Sequence, residues 1–239
     1  MSHTATRLHL NEALLHEWNV SPAEAKAIQR QLQRYVVAEN CLGPVSTVAG
    51  VDVSFTHRQT ARAAIVVLTF PELQPVDHAI AETEVAFPYI PGLLAFREVP
   101  AVLAAFTELQ TVPDLFLFDA HGLAHPRRLG LASHVGVLLD WPSIGCAKSR
   151  LVGEYVEPAR ERGGTSVLSE NGQPIGMVVR TRSGVKPIFV SVGHRVDLDM
   201  AVRHVLDCAP KYRLPETTRW AHRVAGGAKL NYNGVVRRR

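Results

Sequence analysis

Two residues stand where packing alone is a poor explanation. Leu115 to Phe118 is a continuous apolar run of the kind that fills a buried strand, and it stops abruptly at Asp119. A carboxylate there is costly to bury unless a cation or a donor meets it. Ser143 to Ala147 reads as another short strand, and it delivers Lys148 at its end. Between them Leu131, Val135 and Leu138 recur at helical spacing, with Pro142 as the stop. This strand–loop–helix–strand unit places an acid and a lysine at neighbouring strand ends. A second acid, Asp52, lies mid-strand in Val45 to Phe55, which alternates at period two. Ala49, Val51, Val53 and Phe55 share one face; Gly50, Asp52 and Ser54 share the other. In a sheet of this order the strands of Asp52 and Asp119 are commonly adjacent. Their carboxylates repel unless a hard cation lies between them, and magnesium prefers oxygen ligands. Glu98, on the intervening helix, completes a candidate set of three.

The elements that must position these groups follow from the same patterns. Ser21-Pro22-Ala23-Glu24 is a helix start, and Ile28, Leu32, Tyr35 and Val36 mark one face of a helix over about 21–40, ended by Gly43-Pro44. Val45–Phe55, Ala61–Phe70 and Val76–Phe87 are joined by short connections, which predicts an antiparallel meander. Helical spacing resumes at Leu93 and Leu94 and runs to Phe106, with Pro100 expected to kink or divide the helix just after Glu98. Asn171-Gly172 between two apolar stretches favours a hairpin, and Ser183-Gly184 leads into a further strand at Ile188–Val192. Asp197 and Pro215-Glu216 open two last helices, the second ending at Gly226-Gly227, with a frayed tail from about 228. The fold class is α/β: a mixed sheet with an antiparallel meander and parallel strands, flanked by helices. No Gly/Ser-rich linker interrupts it, so one domain over 1–239 is the simpler count.

Bulk properties bound the chemistry less tightly. A 46% hydrophobic content in 239 residues is enough for a substantial core. The +4 net charge is compatible with a polyanionic partner without requiring one. Three widely spaced cysteines, an N-terminus without a signal pattern and no bilayer-length apolar run point to a cytoplasmic protein with no membrane association. His121, His125 and His134 lack the spacing and cysteine partners of a zinc set.

Four stretches in order, VAGVDVSF, FPYIPGLLAFRE, FDAHGLAHPRRLGLASHVG and IGCAKSRL, resemble the endonuclease V family of deaminated-base repair nucleases. The resemblance runs from about Ser21 to about Arg223 and implies a ribonuclease H-like fold. It implies that Asp52, Glu98 and Asp119 hold Mg²⁺, with Mn²⁺ able to substitute. Lys148 would balance charge on the phosphate or orient water, and His222 would approach the metal from the final helix. Cleavage would fall at the second phosphodiester bond 3′ to hypoxanthine, leaving 3′-hydroxyl and 5′-phosphate ends. Pro88, Tyr89, Ile90 and Pro91 resemble the family's strand-separating wedge, two prolines fixing φ around an aromatic and a branched residue. Gly92, Leu94, Gly122, His125, Gly130, Ile144 and Gly145 would build the pocket for the flipped base. Arg127, Arg128 and Arg150 would contact phosphates. Ala120 departs from relatives that often carry glycine there. The implied partner is DNA containing deaminated bases, or inosine-containing RNA. Two other functions fit less of the pattern: a structure-specific nuclease of the junction-resolvase type, and a catalytically silent lesion-binding module.

Overall fold

In the computed structural model, which describes residues 10–56 and 59–230, the acids are placed by one eight-stranded sheet. The strands are β1 (Thr47–Thr56), β2 (Thr60–Thr69), β3 (Pro75–Glu84), β4 (Leu115–Phe118), β5 (Ser143–Ala147), β6 (Thr165–Glu170), β7 (Gln173–Val179) and β8 (Ile188–His194). Their order across the sheet is β3-β2-β1-β4-β5-β8-β7-β6. The first three form the expected antiparallel meander, β1, β4 and β5 run parallel in the middle, and β8, β7 and β6 add a second antiparallel flank. The β6–β7 hairpin turns at Asn171 and Gly172, both left-handed at φ 52° and 75°, as a two-residue loop of the twisted type requires.

Register explains why two distant acids meet. β1 and β4 pair from Val48↔Leu115 to Val51↔Phe118, so Asp52 and Asp119 are the next residues on each strand. The Asp114 carboxylate fixes the other end, accepting from the Ser46 and Thr47 amides at 2.8 and 2.9 Å. Alternation along β4 sends Phe116 and Phe118 to one face and Leu115 and Leu117 to the other, giving each face its own core.

Helices cover both faces. Helix α1 (Pro22–Leu32) carries the expected capping box at Ser21 and Glu24. Helices α2 (Ala95–Thr107) and α3 (Leu131–Leu139) bury Val99, Val102, Phe106, Val135 and Leu138 on one face. Helices α4 (Leu198–Asp207) and α5 (Glu216–Ala225) bury Val205, Ala221 and Val224 on the other. No helix among the described residues is long and apolar enough to cross a membrane.

Three sequence expectations need correction. The first helix does not run to Asn40: α1 gives way to a 3₁₀ turn at Gln33–Tyr35, and Tyr35 is half exposed. The chain beyond is drawn out by pairing with the end of β8, where the Arg195 amide donates to Val37 O at 2.7 Å and the Cys41 amide to Arg195 O at 3.1 Å. Pro100 does not divide α2, which continues through it to Thr107. One backbone donor is missing there, and the burial of Val99, Ala101, Val102 and Ala105 outweighs it. The start of the tail is not frayed, since Leu230 is buried in the α4–α5 core; Arg237, Arg238 and Arg239 lie outside the described residues.

Candidate active site

The parallel strands end at a cleft, the usual place for a ligand in an open sheet of this kind. Asp52, Glu98, Asp119, Lys148 and His222 all line one cavity of about 590 Å³. Asp52 projects from β1 on the face covered by α5, together with Gly50 and Ser54; Ser54 Oγ donates to Ala225 O at 2.7 Å. Glu98 enters from α2 and is only 8% exposed. Burial, with Asp52 and Asp119 adding repulsion, pushes its carboxyl up to about 8. Burial also raises the Asp52 carboxyl, with Asp119 repelling it and His222 and Lys148 pulling the other way.

Two basic side chains face the acids. Lys148 Nζ forms an ion pair with Asp119 Oδ2, and His222 Nδ1 lies 2.9 Å from Asp52 Oδ2. Among the described residues no three His, Cys, Asp or Glu side chains stand as a ready-made ion cage. The Lys148 and His222 contacts account for part of this, since each occupies a carboxylate oxygen that a cation would take. The donor set still fits a hard divalent ion: three carboxylates in one cleft, one of them buried and pushed toward its neutral form by the other two. An ion that took those two oxygens would need Lys148 and His222 to swing aside. Both can, because their side chains are 42% and 67% exposed.

The rim of the cavity is the turn before α2. Pro91 and Gly92 are the central residues of a type II turn, with Gly92 at φ 77° and the Leu93 amide donating to Ile90 O at 2.9 Å. Pro88, Tyr89 and Pro91 are exposed, and Tyr89 at 71% is the protruding member. Ile90 instead leans onto Phe87, Leu93 and Phe96. Arg97 Nη1 holds Phe87 O at 2.6 Å, anchoring the turn on its N-terminal side.

The proposed base pocket divides. Gly92, Leu94, His125 and Gly130 line the cavity, and so does Ala120. Ile144, Gly122 and Gly145 do not. Ile144 is fully buried in the opposite core. A Cβ on Gly122 would lie 2.0 Å from Val192 O, and one on Gly145 would lie 2.5 Å from the Gly122 amide. These glycines serve close backbone approach between β5, β8 and the loop after β4. His125 has no nitrogen free for a base, because Nε2 faces Gly92 O at 3.0 Å and Nδ1 accepts from the Arg127 amide at 3.2 Å.

The arginines divide as well. Arg127 and Arg128 are committed inside the protein, Arg127 to Gly92 O and Gln29, and Arg128 to Glu170 and His125 O. That removes them as ready phosphate contacts. Arg150 lines the cavity, donates to Gly153 O at 3.0 Å and stays exposed. His121, for which the sequence favours a polar-pocket or backbone-bonding role over zinc, lines the cavity, whereas sequence reasoning missed Gln29, Ser149 and Leu151 in its wall. Ser149 and Leu151 flank residues already singled out; Gln29 carries no local signal, since only its distant partners give it a role.

Buried histidines make the fold acid-sensitive. Burial drives His125 down to about 4 and His134, fully enclosed with its Nε2 2.8 Å from His16 Nε2, well below the ordinary range. The unfolded chain takes up these protons near pH 6.5 while the folded chain refuses them, so stability present above 6.5 is lost as pH falls toward 4. At about 1.4 kcal/mol per pH unit, His125 alone withdraws roughly 3 kcal/mol over that window. Glu98 and Asp52, raised on folding, act in the opposite sense, but His16, His121, His194 and His204 are lowered too. Thermal denaturation between pH 6.5 and 4.5 is expected to show a falling midpoint; a flat or rising one contradicts this balance.

Comparison with known proteins identifies the family of the chain. The Endonuclease V family model matches residues 30–223. Endonuclease V of Roseiflexus sp. (strain RS-1) is 48% identical over 221 residues, covering 92% of this chain and 99% of the relative. The crystal structure of Endonuclease V from Streptomyces avermitilis superposes with a TM-score of 0.84 at 48% identity, over 87% of this chain and 93% of that one. Endonuclease V of Ciona intestinalis, crystallised with a 24mer DNA containing an inosine followed by a ribo-adenosine, superposes at 0.74 with 28% identity, over 85% and 95%. A mixed α/β sheet with this cleft and these relatives defines an endonuclease, a hydrolase of phosphodiester bonds. The chain belongs to the Endonuclease V family.

Proposed function

We propose that this protein is a metal-dependent endonuclease that recognises hypoxanthine in nucleic acid and cuts the second phosphodiester bond on its 3′ side. The ends left would be 3′-hydroxyl and 5′-phosphate, and the role would be repair of deaminated DNA. The observation that carries the reading is the convergence of Asp52, Glu98, Asp119, Lys148 and His222 in one cavity beneath an exposed aromatic turn. The inosine-bearing DNA bound by the Ciona relative supports the choice of substrate.

Asp52, Glu98 and Asp119 would hold Mg²⁺, with Mn²⁺ a competent substitute. When bound, the ion supplies Lewis acidity toward the scissile phosphate and lowers the pKa of water. Lys148, released from Asp119, then has its ammonium in reach of phosphate charge. His222, released from Asp52, offers a ring nitrogen at the mouth of the cleft. Tyr89 fills the gap left by a base that leaves the stack, a departure that costs a few kcal/mol in a good pair and less at a mismatch. The Gly92 and Gly130 backbones can approach a purine edge closely, and hypoxanthine presents an acceptor O6 where adenine presents a donor amine. Arg150, at the cavity wall, is the phosphate contact of the three arginines.

Labelled inosine-containing strands, DNA and RNA, single and paired, test the reading with Mg²⁺ or Mn²⁺ and with EDTA. Cutting one nucleotide beyond the inosine's 3′ neighbouring bond, abolished by EDTA, is expected. Cutting that ignores EDTA, or equal cutting of undamaged strands, contradicts it, the latter favouring a structure-specific nuclease.

A further inference from the structure

The carbonyl of Gly92 is oversubscribed. It faces Arg127 Nη2 at 2.6 Å, His125 Nε2 at 3.0 Å and Gln29 Nε2 at 3.1 Å. A carbonyl oxygen has two lone pairs, so three donors, one of them charged, are a heavy commitment to a single peptide. Gln29 is 1% exposed, and its amide has nothing left over: Nε2 also reaches Leu129 O at 3.3 Å, and Oε1 accepts from Arg127 Nε at 2.5 Å. Arg127 has no carboxylate partner among the described residues. Its charge is spent on this carbonyl and on Gln29.

The location gives the arrangement its meaning. Gly92 is the left-handed residue of the turn whose exposed part is Pro88, Tyr89 and Pro91. Helix α1 brings Gln29 to it and seats Ala25 and Ile28 against Phe87, Leu93 and Phe96 beneath the same turn. Gln29 lies just outside residues 30–223 matched by the family model.

We propose that Gln29 and Arg127 are positioning residues: through the Gly92 carbonyl they lock the Pro88–Gly92 turn over the cavity, and so set strand opening rather than hydrolysis. This rests on the reading of that turn as a wedge. A turn pinned at Gly92 holds its tip at a fixed height above the cleft. Without the pin the turn rocks about Gly92, and the tip no longer meets the stack in register. A paired substrate needs the tip before its base can leave the helix, whereas a single strand has no pair to open.

Gln29→Met and Arg127→Met keep most of the bulk and remove the donors; Gln29→Glu, which keeps Oε1 toward Arg127, replaces Gln29→Met if that variant does not fold. Two measurements are made: kcat/KM on an inosine-containing duplex and on the same strand unpaired, and hydrogen exchange of the peptide spanning 86–94. The duplex is expected to lose about ten-fold more than the single strand, the worth of roughly one lost hydrogen bond to a charged or constrained partner. Exchange in 86–94 is expected to quicken. Equal losses on the two substrates overturn the proposal, and so does unchanged exchange. If the wild-type protein cuts no inosine strand, the wedge reading fails, and exchange alone then decides whether the clamp holds the turn.

Discussion

Asp119→Ala and Asp52→Ala are each expected to abolish strand cutting, by on the order of a thousand-fold or more, while binding of an inosine-containing strand persists. Asp119 follows β4 and Asp52 follows the last β1 residue paired with β4, so each contributes its charge at a point fixed by sheet register. Removing either takes one of three carboxylates from the ion set and leaves the buried Glu98, which favours its neutral form, as one of the remaining two. In Asp119→Ala the Lys148 ammonium loses its partner and in Asp52→Ala the His222 ring does, so both variants gain net positive charge in the cleft. Phosphate repulsion falls at the same time. Neither change touches Tyr89, Gly92, Leu94 or Gly130, which is why binding should survive. Single-turnover cleavage and fluorescence anisotropy separate the two properties. Normal cutting by both variants would mean that the site lies elsewhere.

Gly50→Ala is expected to cost about 3 kcal/mol or more of stability. A Cβ there would lie 2.0 Å from Thr217 O and 2.2 Å from Thr217 C. The obstacle is backbone, so no rotamer change relieves it. Helix α5 would have to lift off β1, losing the bond from Ser54 to Ala225 and carrying His222 away from Asp52. Whatever fraction folds should therefore also lose activity. Gly43→Ala is the matched control: its Cβ would meet nothing within 4 Å, and the change should be neutral or slightly stabilising. Denaturant midpoints for the two variants test the claim. A Gly50→Ala protein as stable as Gly43→Ala would show that α5 does not sit on β1 as described.

The same glycine illustrates what a sequence discloses and what it hides. Period-two alternation places Gly50, Asp52 and Ser54 on one face of β1, and in the structure all three meet α5. Asp119 is legible because an apolar run that ends in a carboxylate is locally conspicuous. The hairpin at Asn171-Gly172 and the cap at Asp197 are legible because turns and caps are local chemistry. What fails is long-range. Gly122 and Gly145 read equally well as pocket floor or as close packing, and only the position of β8 decides for packing. Ile144 lies three residues before the cavity-lining Ala147, and the pleat turns it into the opposite core. Arg127 and Arg128 look like solvated basic residues until Gln29 and Glu170, distant in sequence, arrive as partners. The first helix reads too long because nothing local announces that Val37 and Cys41 will pair with Arg195.

Asp52, Glu98 and Asp119 converge in a cleft where burial and Asp119 oppose ionisation of Asp52, and burial, Asp52 and Asp119 oppose that of Glu98; a divalent ion is the simplest relief. Anomalous scattering from a Mn²⁺-soaked crystal tests this most directly. A manganese peak is expected within about 2.0–2.4 Å of oxygens from those carboxylates, with Lys148 and His222 turned away from Asp119 and Asp52. A fully soaked crystal with no peak there, or with the ion held by other residues and the two contacts intact, would contradict it.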